Sequence, residues 1–287
     1  MPPLYKFISD PTAVQFILKG IAKFTPIPEL NDPSELLPNL IPGEVARSLA
    51  HLREHGYSDE DMLHLRKEES LLRRLAPSYK AMDAPVTKEL ATELIRSSVH
   101  DLAPSLYRLL NGAASEMSSK VGLFCLTKRY DSLPMWAHYA ANAKGLVVEF
   151  QGLEDVFPGD DTGVLYHPIS VRYEREQLGV TFDPRSHESI FFSKYQDWSY
   201  EQEVRVVLPL AECRQQHVGD KALYLYDIPP TCITRVILGW NVAPEAADRV
   251  RSFARDLNSE AKVLQACCLF GRVYVDMDVP VDPHSLP

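Results

Sequence analysis

The spacing of apolar positions along this chain changes near Val121, from helical upstream to strand-like downstream. Leu4–Ile8 predicts a short opening strand. Val14, Ile17, Leu18 and Ile21 then recur at helical spacing and predict a helix over Thr12–Lys23. From Thr25 to Gly43 five prolines remove backbone donors and disfavour helix, so an ordered loop with turns is expected. Residues 44–111 read as helical. Val45, Leu49 and Leu52 form one stripe. Ser58 is placed to cap a second helix whose first turn carries Asp59, Glu60 and Asp61. Thr87 is placed to cap a third, with Leu90, Leu94, Val99 and Leu102 inward. Pro104 is expected to kink or split it and Gly112 to stop it.

Downstream, β-branched and aromatic residues predict strands over Val121–Thr127, Gly145–Phe150, Val164–Tyr173, Glu203–Leu208, Ala222–Ile228 and Cys232–Leu238. A helix is expected over Pro244–Leu257, with Pro244 in its first turn, and closing strands over Lys262–Leu269 and Arg272–Val275. Helices inserted after one strand, then a mostly β half, indicate an α+β fold. The expected organisation is one domain over 1–279 with a helical insertion at about 44–111. Residues 280–287 form a proline-containing loose tail.

Composition narrows the function classes. A net charge of −9 does not suit a nonspecific phosphate-backbone binder, so nucleic acid is not favoured as a partner. No apolar run approaches the roughly 18 residues of a membrane span, and no charged-then-apolar secretory leader opens the chain. Five cysteines without a C-x-x-C read as reduced thiols, which places the chain in a cytoplasmic compartment. Phosphate-loop, dinucleotide-fold, zinc-protease and hydrolase-elbow motifs are absent. His51 and His55 share a helix face but have no third ligand beside them, so no metal is expected.

Three segments hold candidate chemistry. In Leu133–Ala140, Pro134 opens a short helix that puts Trp136 and Tyr139 on one face, either as core anchors or as a wall for a planar ligand. In Lys194–Arg205, a continuous strand would put Glu201, Glu203 and Arg205 on one face, either as a surface ladder or as a carboxylate pair tuned by an arginine. Asn31-Asp32-Pro33-Ser34-Glu35 is a turn signal.

In one order, these segments resemble the bacterial family known as domain of unknown function 2971. The likeness runs through Leu4-Tyr5-Lys6-Phe7, the Asn31–Glu35 turn, Met135-Trp136-Ala137-His138-Tyr139-Ala140 with Gly145, Lys194 to Arg205, and Val236-Ile237-Leu238-Gly239. The order is also similar to an ADP-ribosyltransferase core. That likeness implies a split β-sheet and NAD as substrate. Tyr5 and Lys6 would be its first element, Thr127, Trp136, His138 and Tyr139 its second, and Glu201-Gln202-Glu203 its third. Two positions depart from the family pattern: Ile8 where an arginine is frequent, and Cys125-Leu126-Thr127 where C-F-S is frequent.

The resemblance implies catalytic roles for Glu203, at the ribose, and Glu201, at the acceptor nucleophile. Tyr139 or Trp136 would stack on nicotinamide, Lys6 and His138 would meet the diphosphate or the adenosine ribose, and Arg205 would keep the carboxylates ionised. The partner would be a protein acceptor, reached if necessary by a specialised secretion system: a bacterial effector or toxin modifying a host protein such as ubiquitin. An NAD glycohydrolase and a nucleotide-binding module without turnover are the alternatives. A glycosidase-like hydrolase fits less well, because carboxylates two residues apart on a strand stand on the same side of a sugar.

Overall fold

The computed structural model describes residues 1–32, 42–75, 88–97, 119–175, 189–257 and 260–275. Its centre is set by β4 (Leu146–Phe150), whose five residues are all buried. β4 lies between β1 (Leu4–Ile8) and β11 (Ile233–Leu238), antiparallel to both. The helix Pro244–Asp256 returns the chain so that β12 (Lys262–Leu269) runs parallel to β11, and β13 (Arg272–Val275) closes that edge as a hairpin.

On the other side of β1 the sheet branches. β3 (Val121–Thr127) pairs along its whole length with β8 (Glu203–Pro209), from Val121↔Pro209 to Thr127↔Glu203. It also meets β1 at the single pair Tyr5↔Thr127, and β2 (Ile21–Pro26) at Thr25↔Leu123 and Pro26↔Gly122. β10 (Lys221–Asp227) and β9 (Arg214–Val218) continue from β2. β1 and β3 thus touch at one end and then part. The fold is mixed α+β around a large mixed sheet, with helices Pro42–His55, Asp59–Leu75 and Lys88–Ser97 forming a cluster with its own small core of Leu49, Leu52, Tyr57, Met62, Ala91 and Ile95.

The Ser58 cap is present and reciprocal. Ser58 Oγ accepts from the Asp61 N–H at 3.1 Å, and the Asp61 carboxylate accepts from the Ser58 N–H at 2.8 Å. The expected features at Thr87, Pro104 and Gly112, and the tail from Val279, lie outside the described residues.

The expected helix over Thr12–Lys23 is replaced by a turn at Pro11–Ala13, a short helix Val14–Ile17 and the strand β2. Gly20 causes the break. Its φ of +81° reverses the chain, and a Cβ there would stand 2.1 Å from the Ile228 carbonyl oxygen. Beyond it Ala22 and Phe24 alternate inward with the period of a strand. The expected strand Val164–Tyr173 is reduced to β5 (Ile169–Ser170) and β6 (Arg172–Glu174), the latter paired in parallel with β7 (Ser193–Tyr195). β9 went unpredicted because all five of its residues are exposed and no alternation marks it.

Candidate functional site

A cleft of about 220 Å³ opens where β1 and β3 part. Tyr5, Lys6 and Phe7 line it from β1, Cys125 to Thr127 from β3, Tyr139 from the helix Leu133–Tyr139, and Asn31 from the rim. Lys194, Glu201 and Glu203 form its polar end. In the gap between the strands the Lys6 ammonium donates to the Cys125 carbonyl at 2.8 Å and lies 5.3 Å from the Phe124 ring centre. Burial holds Lys6 below the usual lysine range.

The polar end depends on an interruption. Gln196–Glu201 is a 3-10 turn, Gln202 takes a left-handed conformation at φ 44°, and β8 starts only at Glu203. Glu201 therefore does not share a strand face with Glu203 and Arg205, as a continuous strand would require. The turn nevertheless brings both carboxylates to one ammonium. Lys194 Nζ stands 2.7 Å from Glu201 Oε2 and 3.4 Å from Glu203 Oε2. All three side chains are buried, and the Trp198 ring covers Lys194 with its centre 4.7 Å away.

Arg205, also buried, clamps Glu203 from behind: Nε to Oε1 at 2.9 Å and Nη2 to Oε2 at 2.8 Å, while Nη1 donates to the Phe191 carbonyl at 2.8 Å. The Glu203 backbone N–H donates to the Tyr173 hydroxyl at 2.8 Å. Burial raises Glu203 above the usual carboxylate range, with Lys194 opposing the shift. Burial alone would lower Lys194, but Glu203 and Glu201 carry it above its ordinary value. Burial pulls Arg205 down to about 9, which still leaves it charged at neutral pH. Removing one member of such a buried network costs about 3–5 kcal/mol, because a desolvated charge is left without its partner.

Tyr139 guards the open side. Its hydroxyl donates to Glu201 Oε1 and accepts from Asn31 Nδ2. Burial, then the Glu201 carboxylate, raises the phenol well above its ordinary value. The chain leaves this helix through three residues at positive φ, Ala141 to Ala143, and enters β4 at Gly145, where a Cβ would stand 2.0 Å from the Ile8 carbonyl oxygen.

Residues 135–206 match the family described as Protein of unknown function (DUF2971). The matched stretch holds Tyr139, Lys194, Glu201, Glu203 and Arg205, so it supplies the carboxylates and their partners. No curated protein and no solved structure matches the chain.

Of the residues singled out in the sequence, Tyr5, Lys6, Thr127, Tyr139, Glu201 and Glu203 all line the cleft. Thr127 is buried, and its hydroxyl accepts from the Arg129 N–H at 3.3 Å, which occupies it with the following loop. Three others stand elsewhere. Trp136 is no ligand wall. It is 0% exposed, packs on Phe7 and Trp240, and donates its indole N–H to the Tyr130 carbonyl at 2.7 Å, so the helix uses it as its core anchor. His138 is exposed, off the cleft lining, with its ring against Tyr200. Arg205 acts on the cleft only through Glu203. Lys194 and Asn31 escaped as site residues because neither follows a strand or helix period shared with Glu201; only their presence in the family-like segments marked them.

Proposed function

We propose that the chain transfers ADP-ribose from NAD to a protein side chain. The carrying observation is the pair of buried carboxylates at the end of a cleft walled by Tyr5 and Tyr139. Breaking the bond between nicotinamide and ribose leaves positive charge on the sugar. A fixed negative group gains more interaction with that charge in the transition state than in the ground state. Glu203 takes this role, oriented by Arg205 so that no reorganisation is needed as charge develops. Glu201 takes the acceptor side. The aromatic faces of Tyr5 and Tyr139 suit the nicotinamide ring, and Lys6 supplies positive charge toward the diphosphate.

The volume suits a nucleoside-sized group, below the roughly 300–1,000 Å³ of drug-sized pockets, so the adenosine half of NAD would lie outside the mouth. The early polar strand, the aromatic helix and the late glutamates also keep the order of an ADP-ribosyltransferase core.

A binding module without turnover is the second reading. What favours it is the clamp on Glu203, both of whose oxygens already accept from Arg205. Nicotinamide release from NAD separates the two. Release by the wild type that falls more than about tenfold, or 1.4 kcal/mol of barrier, in Glu203→Gln supports the transferase. Binding of NAD by calorimetry with no release supports the module. A loss of less than tenfold in the variant removes Glu203 from the chemistry.

A further inference from the structure

We infer that an aromatic ridge beside the cleft is the docking surface for the protein acceptor, which it holds by apolar contact. The inference rests on the NAD reading and gives the acceptor a place to sit. Four rings form the ridge. His138 comes from the helix Leu133–Tyr139, Tyr195 from the end of β7, and Trp198 and Tyr200 from the 3-10 turn that follows. From the cleft wall outward the rings succeed one another. Centres are 6.3 Å apart from Tyr139 to His138, 6.1 Å from His138 to Tyr200 and 6.2 Å from Tyr200 to Trp198. The Tyr200 hydroxyl stands 3.4 Å from His138 Nδ1, which joins the helix to the turn.

Exposure separates these rings from core anchors. Trp136, in the same helix as His138, is fully enclosed, whereas His138 is exposed, Tyr195 is 46% exposed, and Trp198 and Tyr200 are partly exposed. Other large apolar side chains exposed among the described residues, such as Phe16, Leu63, Val218 and Phe270, belong to separate parts of the chain, as scattered surface hydrophobes ordinarily do. On the ridge the rings adjoin. Clustered tyrosine and tryptophan at a surface are the side chains that dominate binding energy at protein interfaces.

The ridge meets the cleft at its acceptor side. Trp198 covers the Lys194 ammonium at 4.7 Å, Lys194 bonds Glu201, and Glu201 bonds Tyr139, so the ridge starts and ends at partners of the carboxylate that takes the acceptor. Lys6, which faces the diphosphate, is bonded instead to the Cys125 carbonyl in the gap between β1 and β3. The ridge therefore suits the acceptor better than the adenine ring of NAD. Charge gives the partner's chemistry. Asp197 is the one full charge in 195–200, the exposed Lys128 is of opposite sign, and Arg129 and Asp131 pair with each other at 2.7 Å. A near-neutral aromatic surface fits an uncharged apolar patch on the partner, and such contact is little screened by salt.

The test uses the full chain with radiolabelled NAD and the soluble proteins of a cell lysate as acceptor probes. Protein-bound label is read against nicotinamide release to water without lysate. Tyr195→Ser and His138→Ser change exposed side chains outside the carboxylate network, so both keep the fold. Each is expected to lower protein label at least about tenfold while release to water, and its KM for NAD, stay within about twofold of wild type. Raising NaCl from about 0.05 to 0.5 M is expected to lower wild-type label, relative to release, less than about threefold. Label unchanged in both variants overturns the inference, and so does a wild-type label that salt abolishes. A raised KM for NAD with label falling only in proportion assigns the ridge to the adenine ring and overturns it too. Release to water with no protein labelled by the wild type overturns it while leaving NAD cleavage standing. Absence of release overturns the NAD reading itself, and the docking surface with it.

Discussion

The Tyr139 hydroxyl donates to the Glu201 carboxylate, a bond that spans 62 positions of sequence. It ties the helix after β3 to the turn before β8, and the same hydroxyl accepts from Asn31, so three distant segments meet at one phenolic oxygen. Tyr139→Phe keeps the ring as a wall and removes only this junction. Hydrogen bonds to charged groups contribute about 1.5–3 kcal/mol, so nicotinamide release is expected to fall about 10- to 100-fold with KM for NAD little changed. A loss confined to KM would assign Tyr139 to binding alone.

Arg205→Met is expected to lower unfolding stability by about 3–5 kcal/mol, since the buried Glu203 loses both bonds from its clamp. Arg205→Lys restores charge but not the two-bond geometry, so it is expected to recover only part of the loss. Urea denaturation read by fluorescence and circular dichroism measures both. Stability within about 1 kcal/mol of wild type in Arg205→Met would show that the clamp adds little.

How far the sequence reveals this site follows from what each residue depends on. Glu203 and Arg205 stand two apart on a strand, and the period of two predicts that they meet, as they do. Leu4–Ile8 and Val121–Thr127 read correctly as strands because their burial matches their composition. The strand period puts Glu201 in the right neighbourhood by the wrong geometry. It reaches Lys194 from a 3-10 turn, through a left-handed Gln202 that no apolar period announces. Trp136 and Tyr139 do share a helix, but only packing decides which ring turns inward, and the partners Phe7 and Trp240 come from β1 and the turn after β11. The cleft itself is a property of strand pairing, the single Tyr5↔Thr127 contact, which local pattern does not encode.

On the proposed transfer of ADP-ribose, the pH dependence of turnover follows from Glu203. Its carboxyl must be ionised to stabilise a developing cation, and burial raises its pKa above the ordinary 4.5. Activity is therefore present above the raised value and lost as pH falls through it, so the acid limb of kcat/KM lies above the usual glutamate range. Lys194 lowers the Glu203 pKa, so in Lys194→Met the limb is expected to move to still higher pH. A limb at or below 4.5 in the wild type would mean that another group controls it.

Thiol chemistry separates buried from accessible cysteines. Burial carries Cys213 from 9.0 up to about 11, which leaves about a hundredfold less thiolate at a given pH. Burial also raises Cys232, and burial with Glu203 raises Cys125 further. A thiol reagent at pH 8 is expected to label Cys267 and Cys268 first, the equally half-buried Cys125 more slowly because its thiol resists ionisation, and Cys213 and Cys232 only on unfolding. Rapid labelling of Cys125 in the native protein would show that the cleft opens to reagent far more readily than its packing implies.

Trp136 offers the sharpest separation of core from cleft, because the family-like segment contains both kinds of aromatic. The indole is fully enclosed between Phe7 and Trp240, with ring centres 5.3 and 5.2 Å away, and its N–H is spent on the Tyr130 carbonyl. Trp136→Phe removes that donor and leaves a small void, together about 1–3 kcal/mol of unfolding stability. Because no atom of the ring lines the cleft, NAD affinity measured well below the variant's melting temperature is expected to stay within about threefold of wild type, a change of less than 1 kcal/mol. Tyr139→Ala shows the opposite pattern, with a smaller effect on stability and a larger one on affinity, since its ring is half exposed on the cleft wall. Affinity that falls in step with stability in Trp136→Phe would return the indole to the ligand and the core role to its neighbours.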